Sequence, residues 1–189
     1  MYEAVSALPG ATTQGYCLVE EAGLVGMITL RADLSLAKVA KAVSSVTGAR
    51  MPAPLKITSG AKGRAAWMSP DELLLFVAYQ DVKKAVERLE KSLKTSHALV
   101  VDVSDARVVF RLSGPAAFEG IAKLSPADLR GFAPGDFRRS RLAQAPAAFH
   151  MPDRESFEII AFRSVAGYVF DLLANAVRTG AEVGFFPGG

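Results

Sequence analysis

The sequence predicts an α+β fold built from two tandem ferredoxin-like halves, each of split βαβ type. Three observations predict it. Half of the 189 residues are apolar and 22% are charged, the balance of a globular chain long enough to bury a core. Strand-like runs alternate with stretches of helical period. The order strand-helix-strand-strand-helix then recurs after residue 105. The expected layout is an extended N-terminal arm over 1–23, one α+β domain over 24–179 with related halves at 24–103 and 106–179, and a tail over 180–189.

The elements follow in order. Residues 1–23 are rich in Ala, Gly, Thr and Ser without a period, hence the arm. Leu24 to Leu30 is a short apolar run that reads as a strand. Asp33 and Ser35 offer N-caps to a helix in which Leu36, Val39, Ala40, Val43 and Val46 share one face, and Gly48 ends it. Pro52 and Pro54 make 49–63 a loop. Ala65 to Met68 and Leu73 to Tyr79 form a hairpin about Ser69, Pro70 and Asp71. Its second strand is apolar on both faces, so it must be central or covered by another subunit.

Asp81 is placed to cap an amphipathic helix with Val82, Ala85, Val86, Leu89 and Leu93 inward, and with Glu87–Lys91 and Glu90–Lys94 at ion-pair spacing outside. A strand over Ala98 to Val103 closes this half. In the second half Ala106 to Ser113 alternates as a strand. Gly114 and Pro115 open a helix to about Lys123. Ser125 and Asp128 stand at capping-box spacing for one more turn. Strands over Phe137 to Ala143, Ala147 to His150 and Ser156 to Phe162 precede a last helix from about Ser164 to Thr179, which Gly180 ends.

Composition excludes several classes of function. A single cysteine, Cys17, leaves no disulfide framework or cysteine zinc cluster, and two distant histidines, His97 and His150, offer little for a metal. The longest apolar run, Leu73 to Tyr79, is far short of the ~20 residues of a membrane span. No secretory signal opens the chain, so a cytoplasmic location without membrane attachment is expected. The net charge of +3 is too small and too scattered for a nucleic-acid binder. A mean hydropathy of +0.23 is high for a chain without a membrane segment, and suggests apolar surface kept for a permanent partner.

Motifs for chemistry are absent: no Walker loop, no GxGxxG, no HExxH, no GxSxG. Gly60-Ala61-Lys62-Gly63 has the GxxG form of an RNA-clamping loop but precedes a strand instead of joining two helices. Cys17 lacks a nearby base to activate it. Asp102 and Asp105 flank Ser104, which fits either paired carboxylates or a capped turn. Trp67 could stack on a planar ligand or anchor a core or interface. Arg138, Arg139 and Arg141, with Arg130 upstream, form the one basic cluster, and strand alternation puts Arg139 and Arg141 on one face. Phe185 and Phe186 in the tail could dock on a neighbour. The residues nominated for an interface are Tyr2, Tyr16, Trp67, Arg139, Arg141, Phe185 and Phe186; no catalytic, cofactor-binding or metal-binding residue is assigned.

Several strings taken together carry a resemblance. They are Trp67-Met68-Ser69-Pro70-Asp71-Glu72-Leu73-Leu74, Val101-Asp102-Val103-Ser104-Asp105-Ala106-Arg107, Leu112-Ser113-Gly114-Pro115, Asp128-Leu129, Phe132-Ala133-Pro134-Gly135, Arg141-Leu142-Ala143 and Arg163-Ser164. In this order, over roughly residues 20 to 178, the chain resembles the gamma subunits of heterotetrameric sarcosine oxidase. Ser140 departs from the threonine usual there. The resemblance implies a fold similar to the folate-binding domain of aminomethyltransferases. It also implies a non-catalytic role beside alpha, beta and delta subunits, which would hold FAD, FMN, NAD, tetrahydrofolate and zinc. The complex would demethylate sarcosine to glycine, forming hydrogen peroxide and methylenetetrahydrofolate. A free-standing folate-binding protein, with Asp102 or Asp105 facing the pterin, and a subunit of a related N-methyl amino-acid dehydrogenase remain alternatives.

Overall fold

The computed structural model describes residues 3–184; Tyr2, Phe185 and Phe186 lie outside the described residues. The chain divides into two compact units. One is Val25–Asp105; the other takes the chain up to Leu24 together with everything from Ala106 onward.

The N-terminal segment is not a featureless arm. It forms β1 (Thr12–Gln14) and β2 (Leu18–Glu21). The middle unit then runs β3 (Gly26–Ala32), α1 (Ala37–Thr47), β4 (Ile57–Gly60), β5 (Gly63–Ser69), β6 (Glu72–Val77), α2 (Val82–Leu93) and β7 (Ala98–Asp102). The other unit continues with β8 (Arg107–Ser113), α3 (Ala117–Leu124), β9 (Phe137–Leu142), β10 (Ala145–Asp153), β11 (Ser156–Phe162) and α4 (Ala166–Ala176).

In the middle unit the five-stranded antiparallel sheet has the order β4-β5-β6-β3-β7. Without the edge hairpin strand β4, this is the split βαβ order expected. β6 sits at the centre with all six residues buried, which explains its apolar character on both faces. Leu73, Leu75 and Val77 pack with Ile28 and Leu30 against Val39, Val43 and Val46 of α1 and Val82, Leu89 and Leu93 of α2. Those helix residues are the ones their 3.6-residue period selects. Gly48 ends α1 in the left-handed region (φ 71°), its N–H donating to Ser44 O at 2.8 Å.

Three local expectations differ. Residues 57–60 pair with β5 as a strand, where the prolines suggested only loop. Neither α1 nor α2 has a side-chain N-cap: Asp33 accepts from Ser35 N–H one turn early, and Asp81 caps nothing. Among the described residues Glu87–Lys91 and Glu90–Lys94 make no ion pair, as exposed side chains gain too little to hold one geometry.

The other unit repeats the plan with a substitution. Its six-stranded antiparallel sheet has the order β1-β2-β8-β11-β10-β9. Among the described residues no strand follows α4, and the position beside β8 that β7 takes beside β3 falls to β2, from the other end of the chain. Val19 is fully buried and packs with Phe110, Leu112 and Phe157 against α3 and α4. The arm reading failed because strands of three and four residues are too short to show a period. Cys17 lies in this same core instead of an open segment. His150, the expected end of its strand, is buried inside a β10 that runs on to Asp153.

Gly15 lets this N-terminal segment approach the end of α4. A Cβ there would lie 1.8 Å from Val177 O, beside the 2.9 Å bond from Tyr16 N–H to the same oxygen. Gly15→Ala is expected to destabilise the chain by about 2–3 kcal/mol, as forced overpacking does. A urea titration checks this, with an unchanged midpoint counting against the close approach.

Candidate functional site

The side chains able to do chemistry fall into three clusters, and local structure positions each. The first ties both ends of the chain to α3. Glu119 and Lys123 stand one helical turn apart, 2.9 Å between Oε1 and Nζ. Lys123 Nζ also donates to Tyr16 Oη (3.0 Å), Ala176 O (3.1 Å) and Ala181 O (2.6 Å), and lies over the Tyr16 ring at 4.9 Å. Tyr16 Oη donates to Ala176 O at 3.0 Å. The Glu119 carboxylate, almost wholly buried, accepts from Val183 N–H (2.8 Å) and Gly184 N–H (2.9 Å).

These contacts order the proton affinities. The Val183 N–H and Lys123 hold Glu119 below the usual carboxylate range. Burial alone would lower Lys123, but its bonds to Tyr16 and Glu119 outweigh this and leave it raised. Burial raises Tyr16 despite the ammonium beside it. The cluster is therefore a fixed ion pair. Cys17 lies nearby, its thiol pushed up by burial, which suits a core side chain and not a nucleophile.

The second cluster lies on the sheet face of this unit away from α3 and α4. His150 and Glu158 are direct partners across the β10–β11 ladder, with His150 Nε2 at 3.1 Å from Glu158 Oε2. Arg111, opposite Glu158 on β8, donates to Oε1 at 3.0 Å. Phe137 stacks on the His150 ring, centroids 6.3 Å apart. A buried carboxylate between an imidazole and a guanidinium is satisfied and oriented, as burial demands.

The third cluster is the turn after β7. Asp102 Oδ1 accepts from Ser104 N–H (2.9 Å) and Ser104 Oγ–H (2.6 Å), while Ser104 Oγ accepts from Met27 N–H at 2.9 Å. Asp105 accepts from Tyr79 Oη–H at 2.9 Å. Of the two readings of these carboxylates, the capped turn is the one built.

Of the nominated interface residues, Tyr16, Trp67, Arg139 and Arg141 are among those described. Tyr16 is half-buried in the first cluster. Trp67 is half-buried on β5, its backbone N–H donating to Lys56 O at 3.0 Å. Arg139 and Arg141 are exposed on β9, an edge strand, and share a face as alternation requires; Arg138 turns to the other, over the Phe132 ring at 5.3 Å. Arg130 is held by Asp128, whose carboxyl its guanidinium brings down to about 2. Asp128 thus serves no capping box. Ser125 Oγ instead accepts from Ala127 N–H and meets Ser140 Oγ at 3.3 Å, so the hydroxyl at 140 is used although the threonine methyl is missing. Among the described residues no group of His, Cys, Asp and Glu is placed to hold a metal ion, and no helix is long and apolar enough to cross a membrane.

Sequence reasoning did not single out Glu119–Lys123 or His150–Glu158. The first had a signal in its i, i+4 spacing on a helix. The second needed the hairpin register that brings positions 150 and 158 opposite each other.

A family model described as "Sarcosine oxidase, gamma subunit family" matches residues 31–179, most of the chain and parts of both units. The chain belongs to the sarcosine oxidase gamma subunit family. Two relatives extend the finding. A sarcosine oxidase subunit gamma of Corynebacterium sp. (strain U-96) is 30% identical over 148 residues, 75% of this chain and 71% of that one. Another, of Corynebacterium sp. (strain P-1), is 28% identical over 175 residues, 90% and 85% of the two chains. Among solved structures, a chain of the heterotetrameric sarcosine oxidase from Corynebacterium sp. U-96 in complex with pyrrole 2-carboxylate superposes with a TM-score of 0.78 at 25% identity, covering 88% of this chain and 87% of that one. The glycine cleavage system aminomethyltransferase T of Bartonella henselae shares the fold, with a TM-score of 0.63 at 13% identity over 84% of this chain and 45% of that one. The gamma subunit family and the aminomethyltransferase thus have one α+β architecture in common.

Proposed function

We propose that this chain is the gamma subunit of a heterotetrameric sarcosine oxidase and serves it as a packing subunit, not as the site of reaction. The observation that carries the reading is the family match together with the superposition on a chain of such a complex. The use of the polar side chains supports it. Glu119, Lys123, Asp102, Ser104 and Asp105 are each spent on holding segments of the fold together. FAD, FMN, NAD, tetrahydrofolate and zinc belong, in this reading, to the alpha, beta and delta subunits. Those subunits oxidise sarcosine to glycine with release of hydrogen peroxide and pass the one-carbon unit to tetrahydrofolate. The location is cytoplasmic.

Partner-facing residues in this reading are the exposed pair Arg139 and Arg141 on the β9 edge and, in the middle unit, Trp67 on β5. Tyr2, Phe185 and Phe186 stand at the chain ends as further anchors. A permanent interface of this kind buries more than ~2,000 Å².

Co-expression with alpha, beta and delta subunits of a heterotetrameric sarcosine oxidase tests the proposal. The tagged chain should elute with them as one yellow complex that forms hydrogen peroxide from sarcosine, and should show no turnover alone. A solitary monomer that binds tetrahydrofolate saturably would favour the free-standing folate-binding protein and overturn this reading.

A further inference from the structure

The middle unit carries an open groove of about 590 Å³ between the end of α1, the β4–β5 turn and the first two turns of α2. Its floor is apolar, with Val46, Val77 and Ala85 contributing. Its rim carries Lys62, Lys84 and Arg88, three exposed cations. None of the three makes an ion pair or side-chain hydrogen bond with another described residue. Asp81, also on the rim and likewise unpaired, is the one acid lining the groove. What sets these three cations apart from other exposed lysines of the chain is that they line one apolar-floored groove with a single acid among them.

We propose that this groove receives an acidic segment of a partner subunit, with an apolar side chain on the floor and carboxylates on the rim. This rests on the gamma-subunit reading above. Charge complementarity selects the occupant: a surplus of positive charge on an apolar trough favours an amphipathic acidic segment over a basic or purely apolar one. An open trough also suits a length of chain better than a small enclosed ligand.

The test compares K84E/R88E with K83E/K91E in the co-expressed complex. Both pairs change the net charge equally on exposed positions of α2, but only the first lies on the groove. At moderate salt K84E/R88E should bind the other subunits at least tenfold more weakly, and K83E/K91E should stay within twofold of the unaltered chain. Binding of the unaltered chain should also weaken from 50 to 500 mM salt. Equal binding by K84E/R88E and the unaltered chain, or a flat salt response, would overturn the inference while leaving the gamma-subunit reading intact. An unaltered chain that binds no subunit removes both. A dimer of the isolated chain that K84E/R88E splits would also overturn it, assigning the groove to a second copy. Unchanged melting curves for both variants confirm that folding is not what moved.

Discussion

Phe157→Ala is expected to cost about 4 kcal/mol, since large-to-small changes of a buried phenylalanine remove transfer energy and leave a cavity. Phe157 is the second residue of β11 and has no exposed surface. Three rings surround it: Phe132 stacked at 5.9 Å, and Phe118 and Phe149 edge-on at 6.1 and 6.2 Å. They come from the loop before β9, from α3 and from β10 respectively, so collapse into the void would have to move several elements at once. For a chain of this size the loss corresponds to a fall in Tm of about 8–16 °C. Phe162, at the end of the same strand, is 42% exposed with Arg107 over its ring at 4.6 Å. Phe162→Ala should therefore cost only about 1 kcal/mol, an exposed cation–π contact and some area. Thermal melts of the two variants side by side decide the matter. Equal shifts would mean that the ring cluster is not the packed centre of this unit.

Glu119→Ala should be the next most damaging change, at about 3 kcal/mol, the range for breaking a buried ion pair. It strands the Lys123 ammonium and leaves two backbone N–H groups, of Val183 and Gly184, without their acceptor. The effect has a pH signature. Folding holds Glu119 below its unfolded value, so its stabilisation is complete above the unfolded pKa and is lost as pH falls through the folded one. Urea midpoints of the unaltered chain should thus drop on acidification below about pH 4.5, the ordinary glutamate range. Glu119→Gln should flatten part of that drop. A Glu119→Gln profile parallel to the unaltered one would show that the carboxylate's charge is not what ties the chain ends down.

How legible the fold was depends on element length. β8 runs from Arg107 to Ser113, within one residue of where alternation put it, because seven residues give the period room to show. α1 and α2 are found from their inward valines and leucines, though their starts lack the caps that Asp33 and Asp81 promised. β1, β2 and β4 have three or four residues each, and their pairing is decided by partners far along the chain. The same distinction governs the polar clusters. The Asp102–Ser104 turn is local and readable. Lys123 bonds to carbonyls of Ala176 and Ala181, which no side-chain pattern encodes. The exposed pair Arg139 and Arg141 follows from strand alternation alone, whereas the groove beside Lys62, Lys84 and Arg88 needs the packing of α1, α2 and the β4–β5 turn to exist.

The seat of β2 beside β8 has a consequence for biosynthesis. Leu18 to Glu21 leave the ribosome before any of Arg107 to Ser113 has been made, and the whole middle unit emerges between them. That unit holds its full set of strands and can close as soon as β7 is out, while β2 waits with an unsatisfied ladder edge and a greasy valine. The strand made ahead of the middle unit is thus seated only after that unit is complete, and nascent chains stalled before β8 should be the ones most in need of a chaperone.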